Sequence, residues 1–234
     1  YLNTKDNKTS KISVQINNDV VSSYSKFVDA SRNITTIDFS PNNDFLLFSA
    51  RGEIFKVPTV KGVTRNISNS ISSHERSAVW SPNGEFIAFI SDRTGEYEIF
   101  VQKADFSELP IQITSKSDNY IYNLKWSPDS KKILFNDRLN RLRFIDVTTK
   151  KVSEVDKSDY FEIHQYNWSP DSRWITYSLP NLENYSKIMI FDTQNNSKIV
   201  VSDGFYPAYS AVFSDDGKYL LFTSGRTFIP SYDD

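Results

Sequence analysis

His74 and His164 are where catalysis would have to start in this chain. A serine nucleophile works only with a base within hydrogen-bond reach, and that base is most often an imidazole. Neither histidine belongs to a recognisable constellation. No Gly-x-Ser-x-Gly elbow occurs, and the serines that recur most regularly read as turn residues. A zinc centre would need further His or Cys at ligand spacing, and the chain holds 2 His and 0 Cys. Asp215-Asp216-Gly217 has the outline of a calcium loop without the later oxygen ligands. Gly217-Lys218 lacks the upstream glycine of a phosphate-binding loop. The residues therefore predict no catalytic site, no metal and no cofactor within this chain.

What remains is a set of four polar and aromatic phrases. They are His74-Glu75-Arg76, Tyr120-Ile121-Tyr122, Glu162-Ile163-His164-Gln165 and Tyr206-Pro207-Ala208-Tyr209. Each stands just ahead of a strand that opens a repeat. The repeats carry a common phrase, read as Phe39-Ser40-Pro41, Trp80-Ser81-Pro82, Trp126-Ser127-Pro128, Trp168-Ser169-Pro170 and Phe213-Ser214-Asp215, with serines 41, 46, 42 and 45 residues apart. That interval matches a four-stranded propeller blade of roughly 40–45 residues.

Each copy continues alike. A turn of Pro, Asn, Asp, Gly or Ser follows the aromatic, as in Pro82-Asn83-Gly84 and Pro128-Asp129-Ser130, and such residues reverse a strand. An apolar run comes next: Phe45–Phe48, Phe86–Ile90, Ile133–Phe135, Trp174–Tyr177 and Tyr219–Phe222. Continuous apolar runs predict strands buried on both faces, as stacked blades provide. Third strands at Ile54–Val57, Glu98–Val101, Leu142–Ile145 and Ile188–Phe191 precede more polar fourth strands at 65–67, 111–113, 152–155 and 199–201. No stretch sustains a helical period. The expected fold is all-β: an incomplete arc of a β-propeller with four-stranded antiparallel blades, part of a seven-bladed ring.

The expected organisation is the end of a preceding blade at 1–19, a connector at 20–36, and about four and a half blades at 37–234. The chain opens with Tyr1, and its last copy stops after a second strand, so it reads as a piece of a longer protein. With 27 basic and 29 acidic residues intermixed, no basic stripe points to nucleic acid. No apolar run is long enough for a membrane span. The absence of cysteine leaves the compartment open. In a propeller the first strand of each blade lines the axial channel, so the four phrases have two readings: packing between blades, or contact with a ligand or threading polymer. On the second reading the candidate binding residues are Arg76, Tyr122 and His164.

The longer connecting phrases resemble the tricorn protease family. They are Ala50-Arg51-Gly52-Glu53-Ile54-Phe55-Lys56-Val57-Pro58, Arg65-Asn66-Ile67, His74-Glu75-Arg76 and Ser91-Asp92-Arg93-Thr94-Gly95-Glu96-Tyr97-Glu98, with Asp203-Gly204-Phe205-Tyr206 further on. The likeness runs from about Phe27 to the end. Trp-Ser-Pro-Asp alone is shared with Tol-system propellers and with the propellers of prolyl-oligopeptidase-type enzymes. The resemblance implies a large, homo-oligomeric serine peptidase with six- and seven-bladed propellers, a PDZ-like domain and a protease core, acting on oligopeptides in the cytoplasm. This chain then corresponds to a non-catalytic substrate channel or gating scaffold, its partners being oligopeptide substrates and the remaining domains of the parent. The family's catalytic residues lie in domains outside this sequence, and none carries over. The other reading is a stand-alone Tol-like propeller that binds a protein partner, with a periplasmic location.

Overall fold

A computed structural model describes residues 2–3, 8–9, 29–68, 70, 72–183 and 185–225. Two short strands, β1 (Leu2–Asn3) and β2 (Lys8–Thr9), pair antiparallel. The rest of the preceding blade expected at 1–19, and the expected connector up to residue 28, lie outside the described residues.

Four complete blades follow. The first comprises β3 (Ile34–Phe39), β4 (Phe45–Ala50), β5 (Glu53–Pro58) and β6 (Arg65–Asn66), and the second β7 (Glu75–Trp80), β8 (Phe86–Ser91), β9 (Glu98–Lys103) and β10 (Ile111–Gln112). The third holds β11 (Ile121–Trp126), β12 (Lys132–Asp137), β13 (Arg141–Asp146) and β14 (Val152–Lys157). The fourth holds β15 (Tyr166–Trp168), β16 (Trp174–Pro180), β17 (Ser186–Asp192) and β18 (Ser197–Val200), and a fifth sheet pairs β19 (Ala208–Phe213) with β20 (Leu220–Ser224). Every sheet is an antiparallel meander in chain order. First strands of neighbouring blades lie side by side, β3 against β7, β7 against β11 and β15 against β19, so they form the inner wall. The all-β fold of four-stranded antiparallel blades, an arc of a propeller, is what the sequence predicts.

The serine of each repeated phrase closes the first hairpin by one device. Its hydroxyl donates to the Asn or Asp two residues on: Asn42 at 2.8 Å, Asn83, Asp129 and Asp216 at 2.6 Å, and Asp171. The same oxygen accepts the N–H five residues on, from Phe45 at 3.0 Å, Phe86 at 2.9 Å, Lys132 at 2.9 Å, Trp174 at 2.8 Å and Tyr219 at 3.0 Å. Between them the chain turns through a left-handed residue, Asn43, Gly84, Ser130, Ser172 or Gly217, with φ between 59° and 74°. Asn and Gly tolerate that conformation; serine is less at ease there.

The turn delivers the preceding aromatic into the seam with the blade before it. Trp80 packs with Leu47 and Ile54 of the first blade, Trp126 with Ile90 and Ile99 of the second, and Trp168 with Leu134 and Leu142 of the third. These indoles are 6–7% exposed. Trp126 Nε1 donates to Val79 O and Trp168 Nε1 to Lys125 O, each at 3.3 Å. Strands β8, β12 and β16 are buried almost throughout, as their unbroken apolar runs require. The copies at the two ends of the arc differ. Phe39 is 58% exposed, and Leu221 and Phe222 on β20 are also open to solvent, because no described blade covers those faces.

Several buried carboxylates are paired within their own blade. Asp192 ends β17 and accepts from Arg173 Nη2 at 2.7 Å and Nε at 3.1 Å, from Gln194 N at 2.9 Å and from Asn195 Nδ2 at 2.8 Å. The Arg173 hydrogen bond, helped by the two backbone amides against the opposing effect of burial, holds its carboxyl far below the usual carboxylate range.

Replacing Trp126 or Trp168 by Ala should cost about 3–5 kcal/mol, the usual range for a large aromatic in a core. Urea unfolding checks this, and a loss under about 1 kcal/mol would contradict the seam packing. Because the folded-state pKa of Asp192 is lowered, its contribution is present above the unfolded value and is lost as pH falls through about 4 and below. The fall in Tm between pH 6 and pH 3 should therefore be shallower in Asp192→Asn than in the parent.

Candidate functional site

The entry to β7 is built around Gly52, His74, Glu75 and Arg76. Gly52 has φ +80°, and a Cβ there would lie 2.8 Å from His74 Cδ2, so a larger residue is excluded on both counts. Its carbonyl accepts Glu75 N at 2.8 Å, and His74 N donates to Asp92 Oδ1 at 2.7 Å. Glu75 is fully buried. Burial raises its pKa, but hydrogen bonds from Ser70, Ser73, Ser91 and Arg93 outweigh it and leave the carboxyl below its ordinary value.

Beyond Arg76 the ladder to β8 slips, with Ser77 at φ 54°, which marks a β-bulge. Arg76 crosses to the next blade there. Its Nη1 donates to Tyr122 O at 3.2 Å and its Nη2 to Ile121 O, while Ser77 Oγ donates to Tyr122 O at 3.1 Å. The guanidinium carbon lies 4.0 Å from the Tyr120 ring centroid and 4.7 Å from that of Tyr97. His74, Tyr97, Tyr120 and Tyr122 form a chain of edge-on rings with centroids 6.3, 5.0 and 5.2 Å apart. Burial lowers the Arg76 pKa, yet a guanidinium keeps its charge. His74, Arg76 and Tyr120 border a cleft of about 560 Å³ that Arg32 and Arg51 also line, which makes it basic.

A second cluster lies at the entry to β15. Asn136 Nδ2 donates to Glu162 Oε1 and, at 3.2 Å, to Ile163 O, while Tyr166 OH donates to Asn136 Oδ1 at 2.9 Å. His164 Nδ1 is 3.4 Å from Glu162 Oε1, with the ring largely in solvent. Burial raises the Glu162 pKa, the nearby imidazole and Asn136 opposing it. Burial also raises the Tyr166 phenol, which therefore stays protonated. Glu162, His164, Gln165 and Tyr209 border a cleft of about 340 Å³.

The inner wall holds a third row on the first, third and fourth blades, at the position just before the aromatic, where Val79 and Val212 stand in the other two sheets. Asp38 Oδ2 accepts Trp80 N at 2.6 Å, Lys125 Nζ donates to Asn167 Oδ1, and Asn167 Nδ2 donates to Ala211 O at 3.0 Å. Lys125 is open to solvent but hemmed in by protein, and burial lowers its pKa. Each side chain reaches the first strand of the next blade.

Of the three residues predicted from sequence, Arg76 is 8% exposed and bound between blades, Tyr122 is half-buried and touches Tyr120, and His164 is exposed in a separate cluster. The structure brings Arg76 and Tyr122 together through a backbone carbonyl; His164 stands apart. Sequence reasoning passed over Tyr97, Asn136, Lys125 and Asn167. The last two could have been found as the polar residue just before the aromatic, which recurs on three of the five first strands. Among the described residues, no group of three His, Asp or Glu side chains could hold a metal ion. Among the described residues, no helix is long and apolar enough to cross a membrane.

Comparison with known proteins places this architecture. The family described as the tricorn protease second beta propeller domain matches residues 34–234. The tricorn protease of Thermoplasma volcanium is 28% identical over 240 residues, covering 98% of this chain and 22% of that protein. The chain spans about a fifth of the length of that relative and of other tricorn homologues that it matches. In fold it is similar to the crystal structure of the tricorn protease, with TM-score 0.75 and 16% identity over 87% of this chain and 20% of that one. It is also similar to TolB from Acinetobacter baumannii, with TM-score 0.54 and 19% identity over 80% of this chain and 45% of that one. With a blade-by-blade match along nearly all of its described length, the chain belongs to the tricorn protease family, as the counterpart of its second β-propeller domain.

Proposed function

We propose that this propeller segment is a non-catalytic channel wall or gating scaffold that leads oligopeptides to a serine protease core elsewhere in a larger, homo-oligomeric, cytoplasmic peptidase. The observation that supports this most directly is the placement of the aromatic and polar phrases at the entries of the innermost strands, in a domain of the tricorn second-propeller family. A channel needs contacts that are numerous and weak, since tight binding would stall transit. Tyr122 and His164 fit that need, each with surface open to solvent. Arg76 serves Tyr122, with Tyr120 beside it, from behind. Its guanidinium fixes the Tyr120 ring and the Tyr122 carbonyl, so on this reading any effect of Arg76 on substrate would run through their position. The likeness to TolB supports the other reading, a propeller that binds a protein partner. The family match and the higher TM-score of the tricorn structure favour the peptidase.

In the full-length peptidase, Tyr122→Ala and His164→Ala should each slow turnover of long oligopeptides more than that of a minimal fluorogenic substrate. One neutral contact is worth about 1 kcal/mol, or about five-fold in rate. Equal effects on both substrate lengths would overturn the channel reading. Arg76→Ala leaves two buried carbonyls without their charged donor and should lower stability by about 2–3 kcal/mol, measured by denaturant unfolding.

A further inference from the structure

The seams between blades are not all fastened alike, and the difference falls on one residue of the turn. Where the second and third blades meet, the left-handed residue is Ser130, whose Oγ accepts Asn83 N at 3.1 Å. Where the third and fourth meet, Ser172 Oγ accepts Asp129 N at 3.0 Å. These hydroxyls offset the awkward φ of a serine by joining neighbouring turns. At the seam of the first and second blades the corresponding pair is Asn42 and Gly84. Glycine has no hydroxyl, so nothing stands opposite the Asn42 amide.

A cleft of about 400 Å³ opens at that unfastened seam, lined by Pro41, Asn42, Phe45, Lys56, Trp80 and Gly84 among others. Its polar anchor is Lys56. The ammonium lies 4.2 Å from the centroid of Phe45 and 5.3 Å from those of Trp80 and Phe106, and it donates to one neutral acceptor, Ala104 O, at 3.2 Å. Burial, and to a lesser degree Arg65, lowers its pKa, while Asp105 acts in the opposite sense without a direct hydrogen bond to it. Asp105, the carboxylate on the cleft wall, accepts Ser107 N at 2.9 Å. At the fastened seam of the third and fourth blades the charge is used up internally. There Lys132 occupies the place that Phe45 takes in the first blade, and its Nζ reaches Ser172 O at 3.4 Å and the Trp168 ring at 5.8 Å.

We propose that the seam between the first and second blades is a binding site for a small organic carboxylate with a flat apolar body, its carboxylate on Lys56 Nζ and its body against Phe45, Trp80 and Pro41. An ammonium has three donors, and one neutral acceptor leaves it under-satisfied in a partly desolvated setting, where an anion gains most. The aromatic walls favour a flat apolar body over a fully hydrated ion such as phosphate. The volume is at the low end of that of ligand pockets, which suits a molecule of amino-acid size. This site is independent of the channel and lies at the turn end of the blades.

The test is calorimetric titration of the full-length protein with phenylacetate, its uncharged methyl ester and inorganic phosphate, at neutral pH. The proposal expects saturable binding of phenylacetate, with the ester and phosphate at least ten-fold weaker. Lys56→Gln should weaken phenylacetate at least ten-fold. Gly84→Ser should do the same by restoring the missing hydroxyl; it is structurally mild, because a Cβ at Gly84 meets only Pro41 Cγ and Cδ at 3.8 Å, and serine already occupies the same left-handed position at 130 and 172. Gly84→Ser keeps the test decisive if Lys56→Gln fails to fold. Non-saturable heat, equal affinity for the ester, tighter binding of phosphate, or affinity unchanged in Gly84→Ser would each overturn the proposal.

Discussion

One serine hydroxyl per blade governs this structure. It donates to an Asn or Asp and accepts a backbone amide across the turn, so the hairpin between first and second strands has one geometry in all five copies. That geometry fixes where the aromatic just before the serine must go. In the three interior copies it goes into the seam with the preceding blade and contacts that blade's second and third strands. Local hydrogen bonding thus sets the angle at which blades stack, and the hydrophobic effect then holds them there. The reverse order would not work, because apolar sheet faces are non-directional and would permit many stacking angles.

What depended on a few consecutive residues was legible in the sequence. The turn phrases, the apolar second strands and the polar outer strands follow from chemistry within about twenty residues, and their positions agree with the observed strands. Family membership was legible too, through the longer phrases between strands. What depended on neighbouring blades was not. Arg76 reads as a charged residue ahead of a strand, but the bulge at Ser77 turns it onto carbonyls some 45 residues further along, and it ends 8% exposed. The run at Tyr219–Phe222 looks like its four counterparts, yet β20 is exposed, because burial is a property of the pair of blades and not of the strand. Ser130 and Ser172 read as ordinary turn residues; their role at the seams requires two turns to be seen together.

The distribution of charge has the same origin. Asp137 is buried against Arg141 and Arg143, Asp192 against Arg173, and Glu75 against Arg93, each pairing formed within a blade. Buried charges must be paired and hydrogen-bonded to be tolerated, and here each of these carboxylates finds its partner within its own blade. The net charge of -2 conceals an uneven distribution: residues 75–112 of the second blade carry 3 basic and 7 acidic side chains, and residues 121–157 of the third carry 9 basic and 5 acidic.

The inner wall departs from that rule. Arg76 binds carbonyls of the neighbouring blade, Asp38 the Trp80 amide and Lys125 the Asn167 side-chain oxygen, with no opposite charge in strong contact. Neutral partners hold a charged side chain in place without cancelling its field. The axis of the arc is therefore lined by charges that are positioned but not neutralised, Asp38 on the first blade and Lys125 on the third. A fixed, uncancelled charge in a concave, low-dielectric wall acts on whatever passes along it more strongly than the same charge on an open surface. Such an arrangement is costly for stability alone. It becomes intelligible if the inner wall is the face of the propeller that meets a ligand, while the blades behind it supply the rigidity.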